Sequence, residues 1–407
     1  MRSTICLILL CTTLSCSKNN PIAPVPFEPT ALEKQLIESD NKFGLKLFRT
    51  VAAEEPGNVF VSPLSVSMAL GMTLNGAAGD TRTDMEETLE LAGLSVDEIN
   101  ESYQSMMDAL LQADPKVAFQ IANSIWYRQG LNFKQSFIET NKTFFDAEVA
   151  GLDFNSPQAV DTINDWVSDK TNKRIEEIID AIPQGAIMYL INAIYFKGNW
   201  SQKFDRSGTS VQPFHLAGGG TKSVDMMREQ HTFSYTNNSS FQAIELAYGD
   251  SVFRAVVILP HQTASMDSLV SELTDGAWHE WSKDFHANAR EVDFSLPKFT
   301  LKYEVELNDA LSALGMRIAF TPFQADFSNL YDERSDVYIS KVKHKTFLQV
   351  DEAGTEAAAV TSVEIGVTSI GPSQPVVMKV DRPFLFFIHE KNSGLILFVG
   401  KVMEPES

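Results

Sequence analysis

The stretch KVKHKTFLQV at 341–350 places a histidine inside a strand-like alternation. Imidazole titrates near neutrality, so His344 has the chemistry of a general base, a proton shuttle or a metal ligand. Val342, His344, Thr346, Leu348 and Val350 share one face, and Lys341, Lys343, Lys345 and Gln349 share the other. His344 is therefore predicted to point at the core. A buried imidazole needs hydrogen-bond partners, and a satisfied core histidine is the default reading. The other chemical patterns fail. The seven histidines are scattered, with no His-Glu-x-x-His and no Cys-x-x-Cys, so the signatures of zinc sites are absent. No Gly-x-Ser-x-Gly elbow supplies a hydrolase nucleophile. GAAGDT at 76–81 lacks the Gly-Lys-Ser/Thr of a phosphate loop and reads as a turn between helices. Gly218–Gly220 reads as a hairpin connection. Acidic residues are plentiful, but the sequence does not pair them into an acid–base couple. No catalytic residue, metal site or cofactor is predicted, and the missing motifs argue against a secreted enzyme.

The cysteines carry a different message. Cys6, Cys11 and Cys16 all lie in the first sixteen residues. Met1 and Arg2 precede the apolar run ICLILLC, too short to span a bilayer as a helix. A basic start, a short apolar core and small residues describe a signal peptide over residues 1–15. TLSC is similar to a bacterial lipobox, whose cysteine is lipidated and becomes the new N-terminus, so Cys16 is the expected lipid attachment point. A plain signal peptide cleaved nearby is the alternative. Residues 16–30 carry four prolines and read as an extended, lipidated tether. The expected location is outside the cytoplasm, anchored at the outer membrane or cell surface, with the lipid as the sole membrane contact.

Composition narrows the partners. A formal net charge of −20 repels phosphate backbones, which disfavours nucleic acid and a polyanionic cofactor such as heparin.

Thr30 and Glu33 form the pattern of a capping box at the start of a helix. Residues 63–76, 81–92 and 159–179 read as helices. AIMYLINAIYF is nearly all apolar and reads as a central strand buried on both faces. FRAVVILP, EVDFSLPKFTL, PFLFFIHE and GLILFVGKV read as further strands. Helices early and strands late predict a single α+β domain over residues 31–407.

Five spaced segments resemble the serpin family: NVFVSPLSVSMALGMTLNGAAGDT at 58–81, LINAIYFKGNW at 190–200, LPKFTLKYEVELNDALSALGM at 296–316, VDEAGTEAAA at 350–359 and DRPFLFFIHEKNSGLILFVGKV at 381–402. The resemblance implies a serpin fold of three β-sheets with eight or nine helices and an exposed reactive-centre loop. With the lipobox-like front end it implies a bacterial member. It also implies suicide inhibition: a protease cleaves the loop and is held as a covalent acyl complex while the loop inserts as a strand, a device known for serpins in general. The implied partners are target proteases, and the implied state is a monomer.

By the same resemblance, Ser62, Ser65, Asn192 and His344 form a cluster that gates sheet opening. Trp200 and Lys298 lie at the top of the opening, with Lys298 paired to Glu352. Glu352, Gly354, Thr355, Glu356, Ala357, Ala358 and Ala359 form the hinge. The residues of the loop suit insertion. Thr355, Ala357, Ala359, Thr361, Val363, Ile365 and Val367 alternate onto one face, all small or apolar, and five of the seven are β-branched. Glu356 and Glu364 fall on the other face, so a one-residue slip would bury charge. No proline occurs before Pro372, so no ladder donor is lost. The family's loop count puts the reactive bond at Thr368–Ser369, with Val367 as the alternative. Between Thr355 and Met378 there is no Lys, Arg, Phe, Tyr or Trp. That composition offers bait to elastase- or subtilisin-like serine proteases, or to a papain-like cysteine protease reading Val367. The other reading is a non-inhibitory serpin acting as a binding protein or folding helper.

Overall fold

Thr30 opens the first helix. Its Oγ1 accepts the Glu33 N–H at 3.3 Å while Glu33 Oε2 accepts the Thr30 N–H at 2.6 Å, which satisfies two of the four free donors at a helix start. The computed structural model describes residues 24, 26–331, 337–355 and 375–406. Nine α-helices occur among the described residues: α1 (Ala31–Glu54), α2 (Pro63–Leu74), α3 (Gly79–Thr88), α4 (Val96–Gln112), α5 (Gln135–Phe145), α6 (Gln158–Lys170), α7 (Met266–Glu272), α8 (Asp275–Ala287) and α9 (Asn308–Leu311). Phe27, within the segment read as tether, is buried and joins the main core.

The strands are β1 (Val59–Val61), β2 (Val117–Arg128), β3 (Glu148–Leu152), β4 (Met188–Asn199), β5 (Ser210–His215), β6 (Thr221–Asn237), β7 (Phe241–Ala247), β8 (Phe253–Pro260), β9 (Ala289–Pro297), β10 (Phe299–Glu306), β11 (Lys343–Asp351), β12 (Gly354–Thr355), β13 (Val376–Lys379), β14 (Phe384–Glu390) and β15 (Ile396–Val402). One sheet runs β10-β11-β12-β4-β2-β3. The remaining strands form two sheets that share β6. The first part of β6 pairs with β5 and β9, and β9 pairs with β13. The last part of β6 pairs with β7, and the order continues through β8, β14, β15 and β1. The described residues thus form an α+β fold of three sheets, as the serpin resemblance implies. Gly219 and Gly220, both at positive φ, turn the β5–β6 hairpin.

Three sequence expectations shift in detail. The helix expected over 159–179 ends at Lys170. Asn172 and Lys173 take left-handed φ values of 49° and 62°, which a helix cannot continue through. Ile175, Ile178 and Ile179 are buried all the same, in a second apolar cluster with Trp126, Ile163 and Val167. The helix expected over 81–92 begins at Gly79 and ends at Thr88. EVDFSLPKFTL divides at Lys298, so that β9 and β10 belong to different sheets.

The apolar run at 186–196 becomes β4, whose pairing with β2 runs from Gly198↔Val117 to Met188↔Tyr127. α6 covers one face of this sheet, and α2 packs on the other. α2 also sits tightly on α1. A Cβ added at Gly44 would lie 2.3 Å from Pro63 Cβ, far inside van der Waals contact. Gly44→Ala should therefore push α1 off the start of α2 and cost about 1–3 kcal/mol. The check is the urea midpoint at unchanged m-value; an unmoved midpoint would show that the two helices separate freely.

Candidate functional site

β12 is only two residues long, yet it decides the geometry of its sheet. Thr355 pairs antiparallel with Val350 of β11 and with Gly198 of β4; Gly354 pairs with Asp351 and Asn199. β4 and β11 are therefore parallel to one another. Among the described residues their only ladder connection runs through Gly354 and Thr355. The start of the segment after β11 is already seated as a strand between them.

Local chemistry explains the seat. Gly354 has φ 149°, and a Cβ there would lie 2.1 Å from Gly198 O and 2.6 Å from Asn199 Cα. Only glycine fits so close to a neighbouring backbone. Asp351 Oδ1 accepts the N–H groups of Ala353 at 2.8 Å and Gly354 at 3.3 Å, which holds the turn. Thr355 is 1% exposed, and its Oγ1 lies 2.6 Å from Tyr248 OH. Trp200 stacks on Tyr248 at 4.4 Å. Its indole N–H donates to Asp351 O at 2.9 Å, and its backbone N–H donates to Ala353 O at 2.9 Å.

Lys298 Nζ stands 3.1 Å from Glu352 Oε2, and Thr209 Oγ1 donates to Glu352 Oε1 at 2.9 Å. Burial raises the Glu352 carboxyl, but hydrogen bonds from the backbone, Lys298 and Thr209 outweigh it and leave the group below the ordinary carboxylate range. Lys298 keeps about a third of its side chain in solvent, so the pair contributes only about 0–1 kcal/mol.

A second polar group lies under the same sheet. The Ser62 N–H donates to His344 Nε2 at 3.0 Å, and Ser62 Oγ donates to Leu397 O at 2.7 Å. Ser62 also caps α2 by accepting the Ser65 N–H at 3.3 Å. Ser65 Oγ donates to Asn192 Oδ1 at 2.5 Å, and Asn192 Nδ2 donates to Asn123 Oδ1 at 2.6 Å. Thus β11 reaches the start of α2 through His344, and β4 reaches it through Asn192. Burial pushes the His344 imidazole down to about 4, so the ring is neutral and carries its proton on Nδ1. That atom has no partner among the described residues.

The structure places Ser62, Ser65, Asn192 and His344 in one bonded cluster. It gathers Trp200, Lys298, Glu352, Gly354 and Thr355 at one end of the β4–β11 gap. Glu356, Ala357, Ala358, Ala359, Val367, Thr368, Ser369 and Cys16 lie outside the described residues. Among the described residues no cluster of His, Cys, Asp and Glu could hold a metal.

Residues 38–405 match the family described as Serpin (serine protease inhibitor). The chain is 33% identical to the leukocyte elastase inhibitor of Homo sapiens over 383 residues, 91% of this chain and 100% of that one. The chain belongs to the serpin family. Serpin B6 of Pongo abelii is also 33% identical, over 91% of this chain and 99% of its own length. Among solved structures, native tengpin, a thermophilic serpin, is 32% identical at TM-score 0.83, covering 94% of this chain and 97% of its own. A human thyroxine-binding globulin complexed with its hormone is 28% identical at TM-score 0.82, covering 93% and 100%.

Sequence reasoning missed three residues in this serpin. Tyr248 lies 107 positions before the Thr355 it touches. Asn123 sits in β2, where a short amide flanked by Ile121, Ala122 and Ile125 was a usable signal for a buried polar contact. Asp351 had a visible signal too, a carboxylate three residues before a glycine.

Gly354→Ala should unseat β12, because a Cβ cannot be placed 2.1 Å from a carbonyl oxygen. Amide exchange at Thr355 should then speed up by about tenfold or more. Unchanged protection would show that the seat does not need glycine.

Proposed function

We propose that this serpin inhibits proteases irreversibly by acting as a suicide substrate, with the gap between β4 and β11 receiving its cleaved loop. The observation that carries the reading is the seated pair Gly354 and Thr355, held between both strands in antiparallel register. Continued one residue at a time, that register brings Thr361 opposite His344 and Asn192, the two arms of the polar cluster under the sheet. Glu356 falls opposite Lys197, and Glu364 opposite Lys341, both on the face that carries lysines. Ile365 arrives opposite Met188, beside an apolar cavity lined by Met188, Leu190, Phe327, Leu330 and Ile339.

In mechanism, the protease nucleophile attacks the carbonyl carbon of the scissile residue, Thr368 or alternatively Val367. The peptide bond to the next residue breaks, and its nitrogen leaves with a proton supplied by the protease. The acyl enzyme remains. Residues 356 onward then extend β12. About a dozen new ladder bonds at ~1 kcal/mol net each yield on the order of 10 kcal/mol, comparable with the stability of a whole domain. That is enough to deform an active site and halt hydrolysis. In this reading Ser62, Ser65, Asn192 and His344 gate the opening, while Trp200 and the Lys298–Glu352 pair close its upper end. The small side chains of the loop favour an elastase- or subtilisin-like target, or a papain-like one. The leukocyte elastase inhibitor among the relatives agrees with the first.

We further propose export as a monomer, with residues 1–15 removed and Cys16 lipidated at the outer membrane or cell surface. Among the described residues no helix is long and apolar enough to cross a membrane. A second reading, a non-inhibitory carrier, is favoured by the likeness to a thyroxine-binding globulin and by an open cleft of 1020 Å³ between α1 and α7.

The deciding experiment mixes the purified protein with neutrophil elastase and runs a denaturing gel. A band at the summed mass is expected. Cleaved serpin alone would favour the carrier. Thr355→Arg should turn inhibitor into substrate, because a cation would have to occupy the buried position beside Tyr248 and Gly198. Undiminished trapping by that variant would contradict insertion. The nicked protein should also melt well above the intact one, and equal melting points would remove the driving force.

A further inference from the structure

Asp40 is a buried carboxyl that the inhibitory mechanism does not use. It is 1% exposed on α1, on the same face as Gly44 one turn later, where α1 meets Pro63 of α2. Tyr103 of α4 donates its hydroxyl to Asp40 Oδ1 at 2.8 Å. Asp40 Oδ2 and the hydroxyl of Ser67, on α2, are both buried and neither makes a hydrogen bond. Among the described residues no charge faces this carboxyl. α2 offers Ser67, α4 offers Tyr103, and the α1 residues one turn away are Leu36, Ile37, Phe43 and Gly44. An ionised carboxylate without a cation is costly in such a place. A proton on Oδ2 removes the charge and supplies a donor to the side that lacks one.

At the start of α2 the situation is mirrored. His344 is 5% exposed and accepts the Ser62 N–H. Around it lie Thr346 on its own strand, Val305 opposite it on β10, and Ser62, none of them charged. Its neighbours Lys343 and Lys345 point to the opposite face and pair there with Glu304. An imidazolium here would also be uncompensated, so the ring stays neutral.

We propose that Asp40 and His344 are a compensating pair: folding loads a proton onto the first and strips one from the second, so the seating of α2 stays level across mildly acidic pH. Burial raises the Asp40 carboxyl from 3.8 to about 7, opposed by the hydrogen bond from Tyr103 and by the nearby Ser67 hydroxyl. Between those values the unfolded chain has released this proton and the folded chain holds it. The contribution of Asp40 therefore falls as pH rises through the window. Burial lowers His344 from 6.5 to about 4. Across that window the unfolded chain holds the proton and the folded chain does not, so the contribution of His344 grows as pH rises. The two windows nearly coincide and their signs oppose. Both groups act on one element, through Ser62 at the cap of α2 and Ser67 in its second turn.

The test is equilibrium unfolding in urea of the full chain, Asp40→Asn, His344→Gln and the double variant, from about pH 4.5 to about pH 6.5. Asp40→Asn should gain on the wild type about tenfold in folding constant per pH unit as pH rises. His344→Gln should lose on the wild type by about the same factor per unit. The double variant should run parallel to the wild type. A constant ratio of either single variant to the wild type across this range overturns the proposal. Should a variant fail to fold, isotope-edited NMR of the wild type decides instead. A neutral His344 ring near about pH 5 and a protonated Asp40 carboxyl near about pH 6 are expected; a charged group at either position overturns the pairing. No protease enters these measurements, so their failure leaves the inhibitor reading standing, and a failure to trap protease leaves this pairing standing.

Discussion

Two parallel strands bridged by an antiparallel third: the placement of β12 between β4 and β11 is the constraint on which the rest of this molecule turns. Backbone groups in a sheet interior need ladder partners. Here the ladder between β4 and β11 is supplied by a piece of the chain's own downstream segment. The consequence is directional. Once a strand has started between two others, each added residue repeats the same pattern at the same spacing. Under the proposed mechanism, a more complete state of this sheet is available, and the native arrangement holds it in reserve.

The surrounding architecture fits that role. α6 lies over one face of the sheet and α2 over the other, so any widening of the gap must be accommodated by elements already packed. The contact of Gly44 with Pro63 leaves little room at the start of α2. The polar cluster at the same place joins α2 to β11 and to β4 separately, through His344 and Asn192. Individually these bonds are modest. Their arrangement means that parting the two strands breaks or re-forms a buried polar contact, where an unmet partner costs more than a made bond gains. Buried polar groups here specify one arrangement of two strands more than they add to stability.

The electrostatics follow the same logic on a larger scale. The chain carries a net charge of −20, yet lysines concentrate on the outer face of β11, where Lys343 and Lys345 meet Glu304. The acidic loop residues Glu356 and Glu364 fall on the matching face under the proposed register. Beneath the sheet, burial lowers His344 to about 4 and raises Asp40 of α1 to about 7, and each is bonded to a neutral partner. Around His344 charge is kept off the buried side of the sheet and kept on the side that meets water.

Period-two alternation in KVKHKTFLQV put His344 on the buried face, and the apolar run at 186–196 marked a strand covered on both sides, because side-chain period and burial are local properties. The same locality made the capping box at Thr30 and the hairpin at Gly219–Gly220 legible. The end of α6 was less so: the apolar spacing continues through Ile175 and Ile178 although the helix does not. Asn172 was a usable stop signal, since asparagine tolerates the left-handed conformation, but Lys173 carries none. Tertiary structure alone decided the contacts that close the site. Tyr248 meets Thr355 across 107 residues, and Ser62 meets His344 across 282. Such pairs are set by how sheets and helices stack, and no local pattern encodes a partner that far away. The seat of Gly354 belongs to the same class. Its glycine is visible in the sequence, but the carbonyl that forbids a side chain there belongs to Gly198 on another strand, and only the packed sheet brings the two together.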